Sequence, residues 1–431
     1  MAKRKKVNVV TMGCSKNLVD SERLMSMLAD VGYEVTHDEE TEADVVVVNT
    51  CGFIGDAKEE SINEILHWAS KKQEGRIGSL YVMGCLSQRY IDDLPGEIPE
   101  VDEWYGKTDW CGIVNELAKK SPATAPYERV ITTPRHHAYL KIAEGCNRFC
   151  AFCAIPLITG RYKSRKIEEI EAEVRSLVEK GVKEFNVIAQ DLTNYGKDIY
   201  GEVRIAELVD RISRIKGVEW IRLHYAYPAG FPMDLLDVMA DRPNVCKYLD
   251  IALQHSADPV LENMRRHITG DETRALLAEI RRRVPGIHIR TTLMVGFPGE
   301  GEAEFEQLKE FVREQRFERM GAFAYCEEED TYGARHFEDS IPEDVKQDRL
   351  DQIMAIQEEI SAEIQQSKVG KTFRVIVDRE EADYYVGRTQ FDSPEVDPEV
   401  LIEKTKPLVR GEFVDVEITE ALPFELIGIP K

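Results

Sequence analysis

Runs of β-branched residues alternate with amphipathic stretches over the first 125 residues of the chain. Three runs, "KVNVVTMGC", "EADVVVVNTC" and "GSLYVMGC", are apolar at nearly consecutive positions, which is typical of strands buried on both faces of a parallel sheet. The stretch "SERLMSMLADVG" places Leu24, Met27 and Leu28 on one face of a helix, and "KEESINEILHWASKK" follows the second strand in the same way. The pattern predicts an N-terminal parallel α/β domain over residues 1–125.

The same alternation returns after a linker, which we predict at residues 126–137. The linker is part of "KKSPATAPYERVITTPRHH", whose Pro and Ser residues are typical of a loop. Six candidate strands follow, separated by helical stretches: "AYLKIAEG", "EFNVIAQD", "WIRLHYAYP", "YLDIALQH", "IRTTLMVGFPG" and "MGAFAYC". Because a complete barrel of this kind needs eight strand–helix units, residues 138–363 are predicted to form a partial, six-stranded α/β barrel.

The pattern changes again after a long charged helix. The stretches "KTFRVIVDREEADYYVGRTQFD" and "GEFVDVEITEALPFELIGI" alternate apolar and polar residues between Gly and Pro turns, which predicts a small antiparallel β-barrel domain over residues 366–431. This segment is acidic, since residues 368–431 hold 9 Lys and Arg against 14 Asp and Glu.

Charge and cysteine content narrow the class of protein. The 431 residues carry a formal net charge of −23, which repels the phosphate backbone of DNA and favours a basic partner. No apolar run reaches the roughly 20 residues of a membrane helix, and the chain begins without the pattern of a signal peptide. We therefore expect a cytoplasmic protein with no membrane partner, in which nine cysteines serve metal or redox chemistry rather than disulfides.

Three of these cysteines lie close together in "GCNRFCAFC", where Cys146, Cys150 and Cys153 have the spacing C-x3-C-x2-C. A structural zinc site needs four protein ligands, and a ferredoxin cluster also uses four cysteines. Three thiolates on a cubane iron–sulfur cluster would instead leave one iron open to a small molecule. Two alternatives remain at this point: three buried thiols, or a zinc site completed by His136 or His137.

A second set of three cysteines is spread over the N-terminal domain. Cys14, Cys51 and Cys85 each end one of the three predicted strands, and each has a glycine beside it. Parallel strands bring their carboxyl ends to one edge of a sheet, where α/β domains build ligand sites. The positions predict a second cluster with three protein ligands, against the alternative of three core cysteines. The remaining cysteines show no such pattern and are expected to be structural: Cys111, Cys246 and Cys326.

The barrel motif resembles the signature of radical S-adenosylmethionine enzymes. "GCNRFCAFC" follows the first predicted barrel strand, and "LMVGFPGE" matches the fifth-strand loop of many members. The resemblance implies that the open iron of a 4Fe-4S cluster binds S-adenosylmethionine and that an electron from the cluster cleaves it to a radical. It also implies that Phe152 lies against the adenine, and that Gln190 and Asp191, after the second strand, help to hold the methionine amino group.

Two cysteine triads in this domain order resemble the radical S-adenosylmethionine methylthiotransferases. The resemblance implies two 4Fe-4S clusters, an electron donor, and S-adenosylmethionine as both methyl donor and radical source. It assigns no general acid or base. Tyr225, His224, Gln254 and His255 lie at predicted strand ends, where such residues are more often structural.

The substrate is expected to be a protein. "GCSKNLVDSE" is similar to the branch of this family that modifies ribosomal protein S twelve of the small subunit, at the β-carbon of an aspartate. The C-terminal domain resembles a TRAM domain, usually an RNA binder, yet its acidity suits a basic ribosomal protein better than RNA. The alternatives are an enzyme that methylthiolates adenosine in transfer RNA and a non-catalytic iron–sulfur protein.

Overall fold

The computed structural model describes residues 4–119, 127–422 and 425–431, so the predicted boundary at residue 125 lies outside the described residues. The N-terminal domain is a parallel sheet in the order β2-β1-β3-β4-β5. Its strands are β1 Lys6–Thr11, β2 Glu34–His37, β3 Ala43–Thr50, β4 Ile77–Gly84 and β5 Glu103–Trp104. Its helices are α1 Ser15–Asp30, α2 Gly55–Gln73, α3 Cys85–Arg89, α4 Leu94–Glu97 and α5 Trp110–Ala118.

Both faces of this sheet are covered, as the continuous apolar runs predict. Val45 and Val47 of β3 pack on one side with Leu24 of α1, and the alternate residues Val46 and Val48 pack on the other with α2. The parallel α/β prediction is confirmed. The two edge strands, β2 and β5, are short and partly exposed. Because they lack a continuous apolar run, the sequence pattern did not predict them.

The central domain is an open sheet of six parallel strands in the order β13-β12-β11-β10-β9-β6, which confirms the partial barrel. The strands are β6 His137–Lys141, β7 Ala143–Glu144, β8 Lys163–Ser164, β9 Glu184–Ile188, β10 Trp220–Ala226, β11 Val245–Ile251, β12 His288–Val295 and β13 Arg319–Ala324; β7 and β8 form a separate two-stranded ribbon. The helices are α6 Ile155–Thr159, α7 Ile167–Glu179, α8 Lys197–Tyr200, α9 Ile205–Ser213, α10 Asp234–Asp241, α11 Asp258–Asn263, α12 Gly270–Arg283, α13 Glu302–Gln315, α14 Tyr332–His336 and α15 Glu343–Gln366, with a 3-10 turn at Leu192–Asn194.

The C-terminal domain is a closed five-stranded barrel in the order β14-β15-β16-β18-β17. Its strands are β14 Thr372–Glu380, β15 Tyr384–Thr389, β16 Glu399–Glu403, β17 Phe413–Ala421 and β18 Glu425–Pro430. The antiparallel prediction holds for four pairings and is wrong for one, because β16 and β18 are parallel. In the described part of the chain, no helix has both the length and the hydropathy to cross a membrane.

The end of β15 and the loop after it fill the lower mouth of the central barrel, where the strands begin. Arg388 donates to Glu184 at the start of β9, with an Nη2–Oε2 distance of 2.7 Å. Asp392 accepts from Arg319 at the start of β13 (2.6 Å). Asp392, and Asp397 beside Arg290, are therefore paired inside the molecule, so the net charge of the C-terminal domain overstates the acidity that it presents to a partner.

Candidate active site

The three N-terminal cysteines lie at one edge of the first sheet. Cys14 precedes α1, Cys51 follows β3 and Cys85 begins α3 directly after β4. Because β1, β3 and β4 are neighbours in the sheet, the three strand ends lie side by side. The structure thus brings the predicted residues together.

Two glycines let the backbone approach these cysteines. Gly13 has φ +85°, and a Cβ there would lie 2.7 Å from the Cβ of Cys51 and 2.9 Å from its Sγ. Gly84 has φ +107°, and a Cβ would lie 2.5 Å from the backbone nitrogen of Thr50. Both positions exclude any side chain, through the positive φ and through the space available. The glycines therefore hold the backbone close to the three thiols at this edge of the sheet.

Burial favours the protonated form of the Cys51 and Cys85 thiols when no metal is bound. It raises the pKa of Cys85 to about 12 and also raises that of Cys51. The Cys85 thiol lies 3.6 Å from the Asn17 amide oxygen. A cationic iron cluster would displace these protons and supply the charge that stabilises the thiolates.

The second triad lies in a single loop after the ribbon strand β7. Cys146 is buried, and burial raises the pKa of its thiol to about 12. Gly145 has φ +81°, and a Cβ there would lie 2.3 Å from the carbonyl oxygen of Arg161. Phe149, between the first two cysteines, also has a positive φ, +52°. The loop is thus tightly wound, and it occupies the end of the barrel where strand carboxyl ends lie.

Two N–H groups that sequence reasoning missed donate to cysteine sulfurs of this loop, one from Arg266 outside the loop and one from the backbone of Arg148 within it. Arg266 donates from Nη1 to the Cys150 Sγ at 3.1 Å, and the backbone N–H of Arg148 donates to the Cys146 Sγ at 3.5 Å. The guanidinium groups of Arg148 and Arg266 both contact the ring of Tyr227, at 4.1 and 4.2 Å from its centroid. Donors aimed at cysteine sulfur are the groups that tune an iron–sulfur cluster, so these contacts fit one.

The zinc alternative is wrong. His136 bonds to Asp378 of the C-terminal domain at 2.7 Å, at the opposite end of β6 from Cys146. Within residues 4–119, 127–422 and 425–431, no group of three or more His, Cys, Asp or Glu residues is placed to hold a single metal ion. A cubane cluster does not require such convergence, because each thiolate binds a different iron.

A cavity of about 600 Å³ separates the N-terminal domain from the upper mouth of the barrel. Phe53 and Ile54, which follow Cys51, form the N-terminal side. Phe152 forms part of the barrel side and packs edge-on against Phe297, with centroids 6.3 Å apart. Phe53 lies two residues after Cys51 and Phe152 lies directly before Cys153, so one residue near each triad lines this cavity, whose volume is in the range of small-molecule sites.

Ion pairs fix the N-terminal domain relative to the barrel around this cavity. Arg89 of α3 donates to Glu328 at 2.8 Å, and Glu328 lines the cavity. Asp20 of α1 accepts from Lys141 of β6, and Arg129 donates to Glu22 at 2.9 Å. These side chains are deeply buried, and the interface is therefore specific rather than a loose contact.

Three family models match the chain. Residues 6–106 match Uncharacterized protein family UPF0004, residues 140–312 the Radical SAM superfamily, and residues 369–430 the TRAM domain. Curated relatives named ribosomal protein uS12 methylthiotransferase RimO align over nearly all of it. The Parabacteroides distasonis protein is 60% identical over 99% of both chains, that of Porphyromonas gingivalis 58% over 98% of both, and that of Christiangramia forsetii 50% over 99% of this chain and 95% of its own.

This chain belongs to the RimO family of methylthiotransferases. It is a radical S-adenosylmethionine enzyme, so the non-catalytic alternative is wrong, and its cofactors are 4Fe-4S clusters and S-adenosylmethionine. The resemblance stated from the sequence is confirmed.

Solved radical S-adenosylmethionine enzymes share the fold. The methyltransferase TsrM from Kitasatospora setae, solved with cobalamin and a 4Fe-4S cluster, gives a TM-score of 0.58 at 14% identity and covers 75% of this chain and 72% of its own. The cobalamin-dependent enzyme OxsB gives 0.53 at 12% identity, covering 82% and 56%. At these identities the likeness concerns the fold alone.

Gln190 and Asp191 lie beside the cysteine loop of this RimO-family enzyme. Asp191 accepts from the Arg148 Nε at 2.6 Å. The amide nitrogen of Gln190 donates to Glu144, while its oxygen is buried without a hydrogen-bond partner in the described structure. Burial alone would raise the pKa of Glu144, but the ammonium of Lys141, helped by Lys107, holds it well below its usual range. Contact of Gln190 and Asp191 with S-adenosylmethionine stays a prediction.

Four other strand-end residues divide into two groups. His255 pairs with buried Glu300 at 3.1 Å, and His224 lies 3.8 Å from Asp250, so both histidines are structural. Tyr225 and Gln254 instead line the cavity. Their φ values of +63° and +73° are costly for residues with side chains, and strain of this kind is common where a side chain is aimed into a site.

The three cysteines outside the triads differ from one another in burial and in surroundings. Cys246 is buried beside Trp220, which agrees with a structural role. Cys326 is exposed and lines the cavity, a position that the sequence pattern did not predict. Cys111 is exposed on α5.

Proposed function

We propose that this enzyme transfers a methylthio group to ribosomal protein uS12, at the β-carbon of an aspartate. The observation that carries the proposal is that residues next to each triad, Phe53 after Cys51 and Phe152 before Cys153, line one cavity of about 600 Å³. The names of the relatives, which are 58–60% identical in the Bacteroides group, supply the substrate.

Each triad would hold one 4Fe-4S cluster with one iron free of protein ligands. Cys146, Cys150 and Cys153 would hold the first, and Cys14, Cys51 and Cys85 the second. The donor sets fit, because each provides three thiols, the ligands that iron–sulfur clusters use, on backbone held close by glycines. When bound, the clusters and S-adenosylmethionine supply the carbon radical chemistry and the methylated sulfur.

The protein's own residues would position and protect these groups. Phe152, in the cavity wall, would lie against the adenine. Arg266 and Arg148 hold their N–H groups at the cysteine sulfurs, where they stabilise negative charge. Phe53, Ile54 and Phe323 present apolar side chains to the cavity and would keep water from the reacting carbon.

The boundaries of the domains are a further part of the proposal. We propose an N-terminal domain over residues 1–125, a linker at 126–137, the radical domain at 138–363 and the TRAM-like domain at 366–431. A one-electron donor is required as a further partner. A substrate that belongs to the ribosome, free or during assembly, would place the enzyme in the cytoplasm.

The test is a reconstituted reaction. Reduced, cluster-loaded enzyme is incubated with S-adenosylmethionine and uS12, and the protein is digested and analysed by mass spectrometry. One peptide should gain the mass of a methylthio group in place of hydrogen, at its aspartate. Modification of transfer RNA with none of uS12 would overturn the proposal and favour the alternative substrate.

A further inference from the structure

Lys16 differs from the other buried lysines of this protein. Six lysines of the described residues are exposed by 8% or less: Lys16, Lys71, Lys107, Lys141, Lys346 and Lys368. Five of them have a carboxylate or amide oxygen within hydrogen-bond distance. Lys16 has neither a hydrogen bond nor an ion pair with any part of the chain that the structure describes. The Lys16 side chain is thus largely buried, and its ammonium has no anionic partner in the described structure.

The local structure supplies no compensating negative charge. Lys16 is the second residue of α1, where the helix dipole disfavours a positive charge, and the first turn holds no acidic residue. Asp20, one turn further on, would be the usual partner. Its carboxylate is instead bonded to Lys141 and lies 3.6 Å from Lys107. Although the sequence holds 79 acidic residues, the described part of the chain places none of their carboxylates within ion-pair distance of Lys16.

The ammonium lies in the region between the two triads. Its Nζ is 3.3 Å from the ring centroid of Tyr225, which lines the cavity. Two residues further along the chain, Tyr227 lies 3.9 Å from the Cys150 Sγ. On the other side, Lys16 is two residues from Cys14. The aromatic face stabilises the cation in part and takes up at least one N–H, which leaves two N–H donors of the ammonium for a ligand.

We propose that the Lys16 ammonium binds the carboxylate of the aspartate side chain that the enzyme modifies. The inference rests on the function proposed above and deepens it, since it assigns a residue that recognises the substrate. The reacting carbon of this substrate is bonded directly to a carboxylate, which needs a cation when it leaves water. A charge-assisted hydrogen bond from Lys16 would provide that cation and would fix the carbon between the two triads.

Two other roles for the same charge are distinguishable. Lys16 could balance the negative charge of a cluster on Cys14, or it could hold the carboxylate of S-adenosylmethionine. The first predicts that removal of the charge lowers the iron content. The second predicts that it lowers cleavage of S-adenosylmethionine in the absence of substrate. The proposed role predicts neither.

The experiment compares Lys16→Met, which keeps the length of the side chain, with Lys16→Arg, which keeps the charge. Lys72→Met is the matched control, because Lys72 pairs with Asp102 on the far side of the same domain. Cluster-loaded enzymes are titrated with two fluorescent synthetic peptides from the modified region of uS12, one with the target aspartate and one with asparagine in its place. Iron content and reductive formation of 5′-deoxyadenosine without peptide are measured in parallel.

The wild-type enzyme should bind the aspartate peptide about 10- to 100-fold more tightly than the asparagine peptide. Lys16→Met should lose most of this preference with iron content and 5′-deoxyadenosine formation unchanged, while Lys16→Arg and Lys72→Met should retain it. An unchanged preference in Lys16→Met, or a loss of iron or of 5′-deoxyadenosine, would overturn the inference. If wild-type enzyme modifies no uS12 peptide, the proposed function itself fails, so the two failures are separate.

Discussion

The barrel triad lies in one loop from Cys146 to Cys153, whereas the N-terminal triad extends from Cys14 to Cys85 over three strand ends. The site in the barrel loop depends on a short stretch of backbone and on a few hydrogen-bond donors from other segments of the chain. A sheet-edge site exists only when β1, β3 and β4 have paired. The two sites therefore present three thiols each but should respond differently to changes in the surrounding protein.

The largest difference is expected when each triad is replaced by alanine. The variant with Cys146, Cys150 and Cys153 changed to Ala should form no 5′-deoxyadenosine. The variant with Cys14, Cys51 and Cys85 changed to Ala should still form it but transfer no methylthio group. Each should lose about four of about eight irons, since a cubane holds four. Iron analysis and chromatography of the products test this, and retention of full iron by either variant contradicts the two-site assignment.

Gly13→Ala should damage the N-terminal site alone. The new Cβ would meet Cys51 at 2.7 Å in a backbone with positive φ, and so we expect methylthio transfer to fall about tenfold or more with 5′-deoxyadenosine formation retained. Gly32→Ala is the control, because Gly32 also has a positive φ (+102°) but nothing within 4 Å. Equal losses in both variants would show that backbone strain, rather than the contact with Cys51, is responsible.

Arg266→Met should change the barrel site more modestly. Loss of the N–H donor at Cys150 should lower the reduction potential of that cluster by some tens of millivolts (roughly, for one hydrogen bond to sulfur), and slow the cleavage of S-adenosylmethionine several-fold. Spectroscopic redox titration measures the shift. Arg265→Met serves as the control, since Arg265 stacks on Tyr332 instead. A potential equal to that of wild type would mean that the Arg266 contact does not tune the cluster.

Glu184→Gln should affect stability and leave both triads active. Burial opposes ionisation, yet Arg388, with Arg222, lowers the pKa of Glu184 to about 2, against a usual value of 4.5. Its stabilising effect is therefore complete above pH 4.5 and is lost as the pH falls through about 2. At pH 7 the variant should be destabilised by about 3 kcal/mol, and the difference from wild type should shrink below pH 4.5.

Chemical denaturation at several pH values measures this effect. Glu279→Gln is the control, because Glu279 pairs with Arg282 on an exposed helix face and should change nothing measurable. A difference between Glu184→Gln and wild type that is independent of pH would contradict the assigned ion pair.

Local pattern explains which parts of the molecule the sequence could predict. The apolar runs of β1, β3 and β4 report burial directly, and each run ends in a cysteine, so both the sheet and its triad follow from neighbouring residues. The barrel loop is likewise contiguous.

Contacts between residues far apart in the chain could not be predicted in this way. Arg266 reaches Cys150 across 116 positions, and Lys16 meets Tyr225 only because two domains face each other. Short edge strands such as β2, and the parallel pairing of β16 with β18, depend on tertiary contacts that leave no periodic pattern. The pairing of Asp392 and Asp397 with Arg319 and Arg290 of the barrel could not be predicted for the same reason.

The plug formed by the end of β15 and the following loop limits how this protein can be recombined. Arg388 and Asp392 meet Glu184 and Arg319 with their charges matched and water excluded. A chimera that took its C-terminal domain from a distant homologue would bring new residues against these fixed charges. Unless the starts of the barrel strands were exchanged as well, the graft would bury unpaired ions. The C-terminal domain is a separate segment of the sequence, but any exchange of it would have to include the starts of the barrel strands that it contacts.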